Sequence, residues 1–157
     1  MAFISTRVTR PSNIETPFAV TDCPRFIEKH FIMPNLSDRE FGLLGEDLAV
    51  RFLQRHGYAI LHRNFRTRFG EIDIVAQDKD TICFIEVKTR ISDQFGSPFE
   101  AITKSKQRTI VRCALSFLQE RKFMESKMRF DCVGVDFTES EEGHIEIIKD
   151  AFDVDLS

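Results

Sequence analysis

Two carboxylates and an amine stand out by type and spacing. Glu86 and Lys88 lie two positions apart in the most strand-like run of the chain, residues 81–88, whose apolar positions are Ile82, Phe84, Ile85 and Val87. Strand side chains alternate, so Ile82, Phe84, Glu86 and Lys88 share one face that begins apolar and ends in a carboxylate and an amine. Asp73 sits in a second alternating run, residues 71–76, and shares a face with Val75. Asp73 and Glu86 are 13 positions apart across a tight turn at 77–80, in strands that would pair. Charges on a buried face need a partner or a metal, because an unpaired buried charge is costly. Two carboxylates meeting at a strand end make a hard-oxygen site suited to Mg²⁺ or Mn²⁺. Lys88 reaches the same place and would orient or help deprotonate a water, or neutralise a scissile phosphate. Glu-x-Lys alone arises by chance in so charged a chain, and its ordinary reading is a salt-bridged pair at a solvated strand end. Asp73 at strand-pair distance is what points to chemistry. Glu46, on the border of an apolar helix stripe, is either a third acid there or a plain surface acid, and spacing alone favours the second.

The elements that must position these residues follow from periodicity. Residues 1–36 carry three prolines before residue 25 and no clear apolar period, and read as a flexible or weakly ordered leader. Met33 precedes Pro34-Asn35-Leu36-Ser37-Asp38, so a start at Met33 is one expectation. The first 14 residues faintly resemble a transit peptide, with two Arg and no acid, but hold no apolar stretch of a secretory signal. A helix is expected over 38–56, capped by Ser37 or Asp38, with Phe41, Leu44, Leu48 and Phe52 as its stripe and Gly57 ending it. A strand over 58–62 leads into a basic connection over 63–70, then strands over 71–76 and 81–88. Pro98 is expected to open a helical stretch running to about residue 122, with Ile110, Ala114, Phe117 and Leu118 inward. Strands over 128–137 and 144–149 close the order α-β-β-β-α-β-β. This is an α/β fold, a mixed sheet flanked by helices with one crossover helix, in a domain of residues 37–157.

Composition bounds the function. The chain has 157 residues, 42% apolar and 30% charged, an ordinary globular mix able to bury a core in one domain. No run approaches the length of a membrane-spanning helix. Cys23, Cys83, Cys113 and Cys132 form no C-x-x-C pair and read as free thiols of a reducing compartment, so a cytoplasmic location is expected. The four histidines show no ligand spacing. The 16 phenylalanines read as core. Net charge is −3, yet residues 51–122 hold 14 Lys/Arg against 8 Asp/Glu, and residues 123–157 hold 3 against 10. That asymmetry suits one face to an anion, or marks only solvated surface.

The basic residues near the proposed site are candidates for phosphate contact. Arg63, Arg66, Arg68 and Arg90 flank it in sequence. Lys104, Arg108 and Arg112, spaced by four, either track a nucleic-acid backbone or form a solvated helix face. Lys106 points along the sheet-facing side of its helix, toward a phosphate or snorkelling from the core edge. Glu71 faces the same way as Asp73 and would support it. Asp131, between Phe130 and Cys132, is expected first as the partner of Arg129.

Gly45-Glu46, Arg63-Asn64, Gly70-Glu71-Ile72-Asp73, the run from Phe84 through Glu86, Lys88 and Arg90, the run from Gly96 to Ala101, Lys106, Arg129-Phe130-Asp131 and Ala151-Phe152 occur in that order. In this dense pattern, over residues 38–152, the chain resembles the YraN family of small bacterial proteins. That family resembles the PD-(D/E)XK nuclease superfamily and, within it, the archaeal Holliday-junction resolvases. The resemblance implies a restriction-endonuclease-like core with Asp73 and Glu86 as metal ligands, Lys88 as the superfamily's lysine and Glu46 as an extra acid. Ile72 replaces the proline of the superfamily's name.

The implied activity is metal-dependent hydrolysis of phosphodiester bonds in DNA, with Mg²⁺ or Mn²⁺ as cofactor. No base-reading element is recognisable, so structure-directed rather than sequence-directed recognition is expected. Resolvase-like relatives imply a homodimer by analogy, and no membrane partner is expected. Two rival readings remain. One is a non-catalytic nucleic-acid-binding module that keeps the nuclease fold. The other is an interaction subunit of a DNA-processing assembly, supported only by the acidic stretch after Phe123.

Overall fold

Ser37 and Glu40 start the first helix. The computed structural model describes residues 18–19, 36–90, 102–137 and 143–152. In it the Ser37 hydroxyl accepts the Glu40 N–H, and the Glu40 carboxylate accepts the Ser37 N–H at 2.8 Å. This reciprocal pair is a capping box. Helix α1 then runs Asp38–Arg55 and buries Gly45, Ala49, Val50, Phe52 and Leu53. Gly57, at φ 83°, turns the chain out of it as expected.

Three antiparallel strands follow: β2 (Ala59–Thr67), β3 (Gly70–Asp78) and β4 (Thr81–Arg90). Helix α2 (Lys104–Arg121) crosses over to β5 (Lys127–Asp136), which lies parallel to β4. Strand β6 (His144–Ile148) returns antiparallel to β5, and β1 (Phe18–Ala19) pairs with β6. The sheet order is β1-β6-β5-β4-β3-β2. From α1 onward this is the expected α-β-β-β-α-β-β order in a mixed sheet. The two-residue β1 falls inside the expected leader, whose other residues up to 35 lie outside the described ones.

Two boundaries differ from the sequence reading. The basic connection expected over 63–70 is strand as far as Thr67. Its charged side chains misled the pattern: β2 is an edge strand, and Arg63 and Arg66 stand exposed on it. A register shift between Ile60 and His62 and a left-handed Asn64 (φ 52°) interrupt its alternation. The second helix begins at Lys104, not at Pro98. Thr103 is extended (ψ 155°) and caps the helix through its hydroxyl, which accepts the Lys106 N–H. Pro98 itself lies outside the described residues, as do residues 138–142 between the last two strands.

The sheet carries a core on each face. Ala49, Phe52 and Leu53 of α1 pack with Ile74, Ile85, Val133 and Val135. Ile110, Ala114, Phe117 and Leu118 of α2, all four expected inward, pack with Ile82, Phe84 and Phe130. Here the phenylalanines meet edge-on, Phe65 to Phe117 at 5.1 Å, or stacked, Phe130 to Phe152 at 4.9 Å between centroids. Cys83, Cys113 and Cys132 are buried free thiols. Among the described residues no helix is long and apolar enough to cross a membrane.

Asp131, 1% exposed, is fastened as expected by Arg129, whose Nε and Nη2 reach its two oxygens at 2.8 and 2.9 Å. The same guanidinium donates to Asp78 (3.0 Å) and Tyr58 (3.1 Å), and the Asp150 N–H donates to Asp131 (3.0 Å). Replacing the guanidinium would leave a buried carboxylate without its counter-charge. Arg129→Met is therefore expected to lower unfolding free energy by about 3–5 kcal/mol in urea titration. A loss below about 1 kcal/mol would show the pair is worth no more than a surface bridge.

Candidate functional site

The apolar run of β4 carries its first charge deep into the fold. Ile82 and Phe84 are in the α2-side core, and Glu86, two residues on, is only 3% exposed. Two lysines meet it. Lys88 Nζ donates to Oε1 at 2.8 Å. Lys106 Nζ, from the first turn of α2, lies 3.0 Å from Oε2. That second contact is an ion pair, so each Glu86 oxygen faces an ammonium. The simple Glu86–Lys88 bridge is present, but buried, not at a solvated strand end. Lys106 points at the sheet, as its helix position predicts. Burial opposes its charge, yet Glu86, and further off Asp73 and Glu71, hold its ammonium above the ordinary lysine range.

Asp73 stands where the β3–β4 ladder ends. The last ladder pair is Ile74 with Ile85, and beyond it the Asp73 carboxylate accepts the Val87 N–H at 2.8 Å. A side chain replaces a backbone partner, and the two strands part around the carboxylates. Burial first, and then the Glu86 charge, push the Asp73 carboxyl up to about 7, against the downward pull of the Val87 N–H and Lys106. Glu46 adds a further upward push and so completes the acidic surroundings.

Glu46 reaches this place because Gly45 lets α1 approach β4. A Cβ on Gly45 would collide with the Thr89 side chain. The Glu46 carboxylate accepts from Asn64 Nδ2 at 3.0 Å. Asn64 is the site residue whose role sequence spacing does not reveal. Its sequence signal is its place in the Arg63-Asn64 pair of the family pattern, and in the structure it takes a left-handed φ of 52°.

The remaining candidates divide into two groups. Arg63 is paired with Asp47 of α1 at 2.5 Å, Arg66 with Glu71 at 3.0 Å, and Arg90 with Asp136 at 3.4 Å. Glu71 is thereby turned toward Arg66, across the strand pair, rather than onto Asp73. Arg68, Lys104, Arg108 and Arg112 are exposed and have no ion pair among the described residues. Among the described residues, no three His, Cys, Asp or Glu side chains converge to hold a metal ion. Asp73 and Glu86 still suit a hard cation that keeps several waters and takes one or two protein carboxylates. The Glu86 charge raises the cost of charging Asp73, a repulsion that a cation would relieve.

Chain comparison gives the following. A family profile described as "Uncharacterised protein family UPF0102" matches residues 45–135. The chain is similar to a UPF0102 protein of Caldicellulosiruptor saccharolyticus, 49% identical over 118 residues, 74% of this chain and 100% of the relative. It is also similar to one of Desulfosudis oleivorans, 44% identical over 119 residues (76% and 94%), and one of Geobacter metallireducens, 46% over 120 (76% and 98%).

The raised Asp73 carboxyl has a signed consequence. Unfolded Asp releases its proton near pH 4 and folded Asp73 near 7. Between those values the folded state holds more protons, so stability falls as pH rises through the window. Asp73→Asn keeps a carbonyl for Val87 and removes the charge. The variant is expected to gain about 1–3 kcal/mol on the parent between pH 5 and pH 8. Urea midpoints measured at both pH values check this, and an unchanged difference would contradict it.

Proposed function

The chain belongs to the family described as uncharacterised protein family UPF0102, and from that premise we propose that it is a metal-dependent endonuclease-like protein hydrolysing phosphodiester bonds in DNA. The observation that carries this reading is the buried Glu86, met by Lys88 and Lys106, with Asp73 closing the ladder beside it. Asp73 and Glu86 would hold Mg²⁺ or Mn²⁺. When bound, such an ion supplies positive charge for the phosphorane-like transition state and acidifies a water. The chain's own residues supply the rest. Lys88, fixed at 2.8 Å on Glu86, is held to orient the attacking water and offset phosphate charge. Lys106 opposes the acids from the other side. Asn64 holds Glu46 as the further acid. Water oxygen bonds to phosphorus as the opposite ester P–O bond breaks, and the leaving alkoxide takes up a proton.

The same reading includes action on DNA structure rather than sequence, a homodimer by analogy with resolvases, and a cytoplasmic location consistent with three free buried thiols. A second reading has one observation in its favour: each Glu86 oxygen already faces a lysine, so the site is partly neutralised without a metal. It is a non-catalytic nucleic-acid-binding module of nuclease fold.

A cleavage panel separates them. Junction, flap, single-stranded and duplex DNA are incubated with the full chain in Mg²⁺, Mn²⁺ or EDTA. Metal-dependent cutting is expected, reduced about 1000-fold or more in Glu86→Gln with the fold intact by circular dichroism. Cutting retained by the variant would refute the assignment. Salt-dependent but metal-indifferent binding without cutting would establish the module.

A further inference from the structure

The turn between β2 and β3 exposes an aromatic ring that the turn does not require. Arg68 and Phe69 form the tip, between Thr67 and Gly70. The hairpin geometry is secured by its neighbours: Thr67 Oγ1 accepts the Phe69 N–H at 3.0 Å, and Gly70 takes φ 144°. The two tip side chains are thus free of structural duty, where tight turns favour small polar residues or glycine. Yet Phe69 stands 39% exposed, although most of the described phenylalanines are core. Two guanidiniums attend its ring, Arg68 Cζ at 4.8 Å and Arg112 Cζ at 5.7 Å from the centroid. Neither has an ion pair among the described residues.

This cluster is tied to the carboxylate site through one helix ridge. Along α2, Lys106 reaches Glu86, Thr109 packs on Gly70, and Arg112 lies by Phe69. Thr67 Oγ1 and Cys113 Sγ, 3.1 Å apart, fix the hairpin tip against the same helix. Gly70 and Asp73 are three residues apart in β3, about 10 Å along the strand. The ring and the carboxylates therefore stand at one end of the sheet, within the reach of a short stretch of one strand of nucleic acid.

We infer that Phe69, with Arg68 and Arg112, is a stacking platform for an unpaired nucleobase, which selects substrates with a single-stranded or branched segment next to the cleaved bond. The inference rests on the nucleic-acid reading above and adds its substrate class. Every unpaired base has a π-face to lay on an aromatic ring, whereas a base inside a duplex has both faces covered. The cation–π contacts are weak at an exposed site. An arriving base can displace a guanidinium from the ring, and the guanidinium then pairs with a phosphate.

The test is equilibrium binding of the full chain in EDTA at fixed salt, by anisotropy of labelled single-stranded and duplex oligonucleotides of equal length. Phe69→Ala is expected to weaken single-strand binding about 5- to 100-fold and to leave duplex binding within about twofold. Phe69→Tyr is expected to retain parent affinity. Binding is read in EDTA, where no metal-dependent cleavage enters, which separates this inference from the fate of the catalytic assignment. Unchanged single-strand binding in Phe69→Ala, or equal loss on both oligonucleotides, overturns the platform. So does absence of any nucleic-acid binding at about 50 mM salt, where phosphate contacts are strong; the patch then belongs to a protein partner.

Discussion

A carboxylate in an inner strand constrains much of the architecture. Strand β4 lies between β3 and β5, and its run from Ile82 to Ile85 is fully buried. Glu86 follows at the same depth, so its charge must be met by groups that reach in from other elements. Lys88 comes from the same strand and Lys106 from α2, whose crossover between β4 and β5 brings its first turn over that strand end. A buried pair that loses one partner costs about 3–5 kcal/mol, against about 0–1 for an exposed bridge. The seat of α2 and the parting of β3 from β4 surround this side chain, and the approach of α1 through Gly45 brings Glu46 toward the neighbouring Asp73.

The two ends of the sheet treat buried charge in opposite ways. At one end, Asp131 receives two guanidinium contacts and a backbone N–H, and the same Arg129 also serves Asp78. Burial opposes the charge of Asp78, but Arg129 and Lys149 hold its carboxyl below the usual carboxylate range. That network is satisfied and acts as a fastener. At the other end the Glu86 charge, after burial, raises the Asp73 carboxyl, and two lysines reach in to meet Glu86. Two acids held so close are costly, and such an arrangement is more common at functional sites than elsewhere. The contrast is what sets the Asp73–Glu86 end apart as the candidate site.

What was legible in the sequence followed from periodicity. Asp73, Glu86 and Lys88 declare themselves because a period of two places them at a common strand end, and Lys106 because it lies four before the inward Ile110. The inward stripe of α2 and the Arg129–Asp131 pair were readable for the same reason. Asn64 and the true length of β2 were not. A bulge and a left-handed residue break the alternation there, and an edge strand tolerates exposed arginines that resemble a loop. The α2 boundary was missed because Pro98 is a permissible helix opener, whereas Thr103 supplies the cap. Phe69 escaped notice because composition treats phenylalanine as core, and only the three-dimensional tip shows it exposed.

Charge pairing also gives the site a direction. Of the basic residues near it, Arg63, Arg66, Arg90 and Lys106 are committed to carboxylates of the fold itself. Those with no ion pair among the described residues, Arg68, Lys104, Arg108 and Arg112, lie on the β2–β3 tip and on α2. The chain as a whole carries −3, so most of its surface does not attract a polyanion. If the proposed nucleic-acid reading holds, a strand would be drawn to the α2 and hairpin side. Association through these cations would then be weak and salt-sensitive, and selectivity would have to come from shape and stacking rather than from bulk electrostatic attraction.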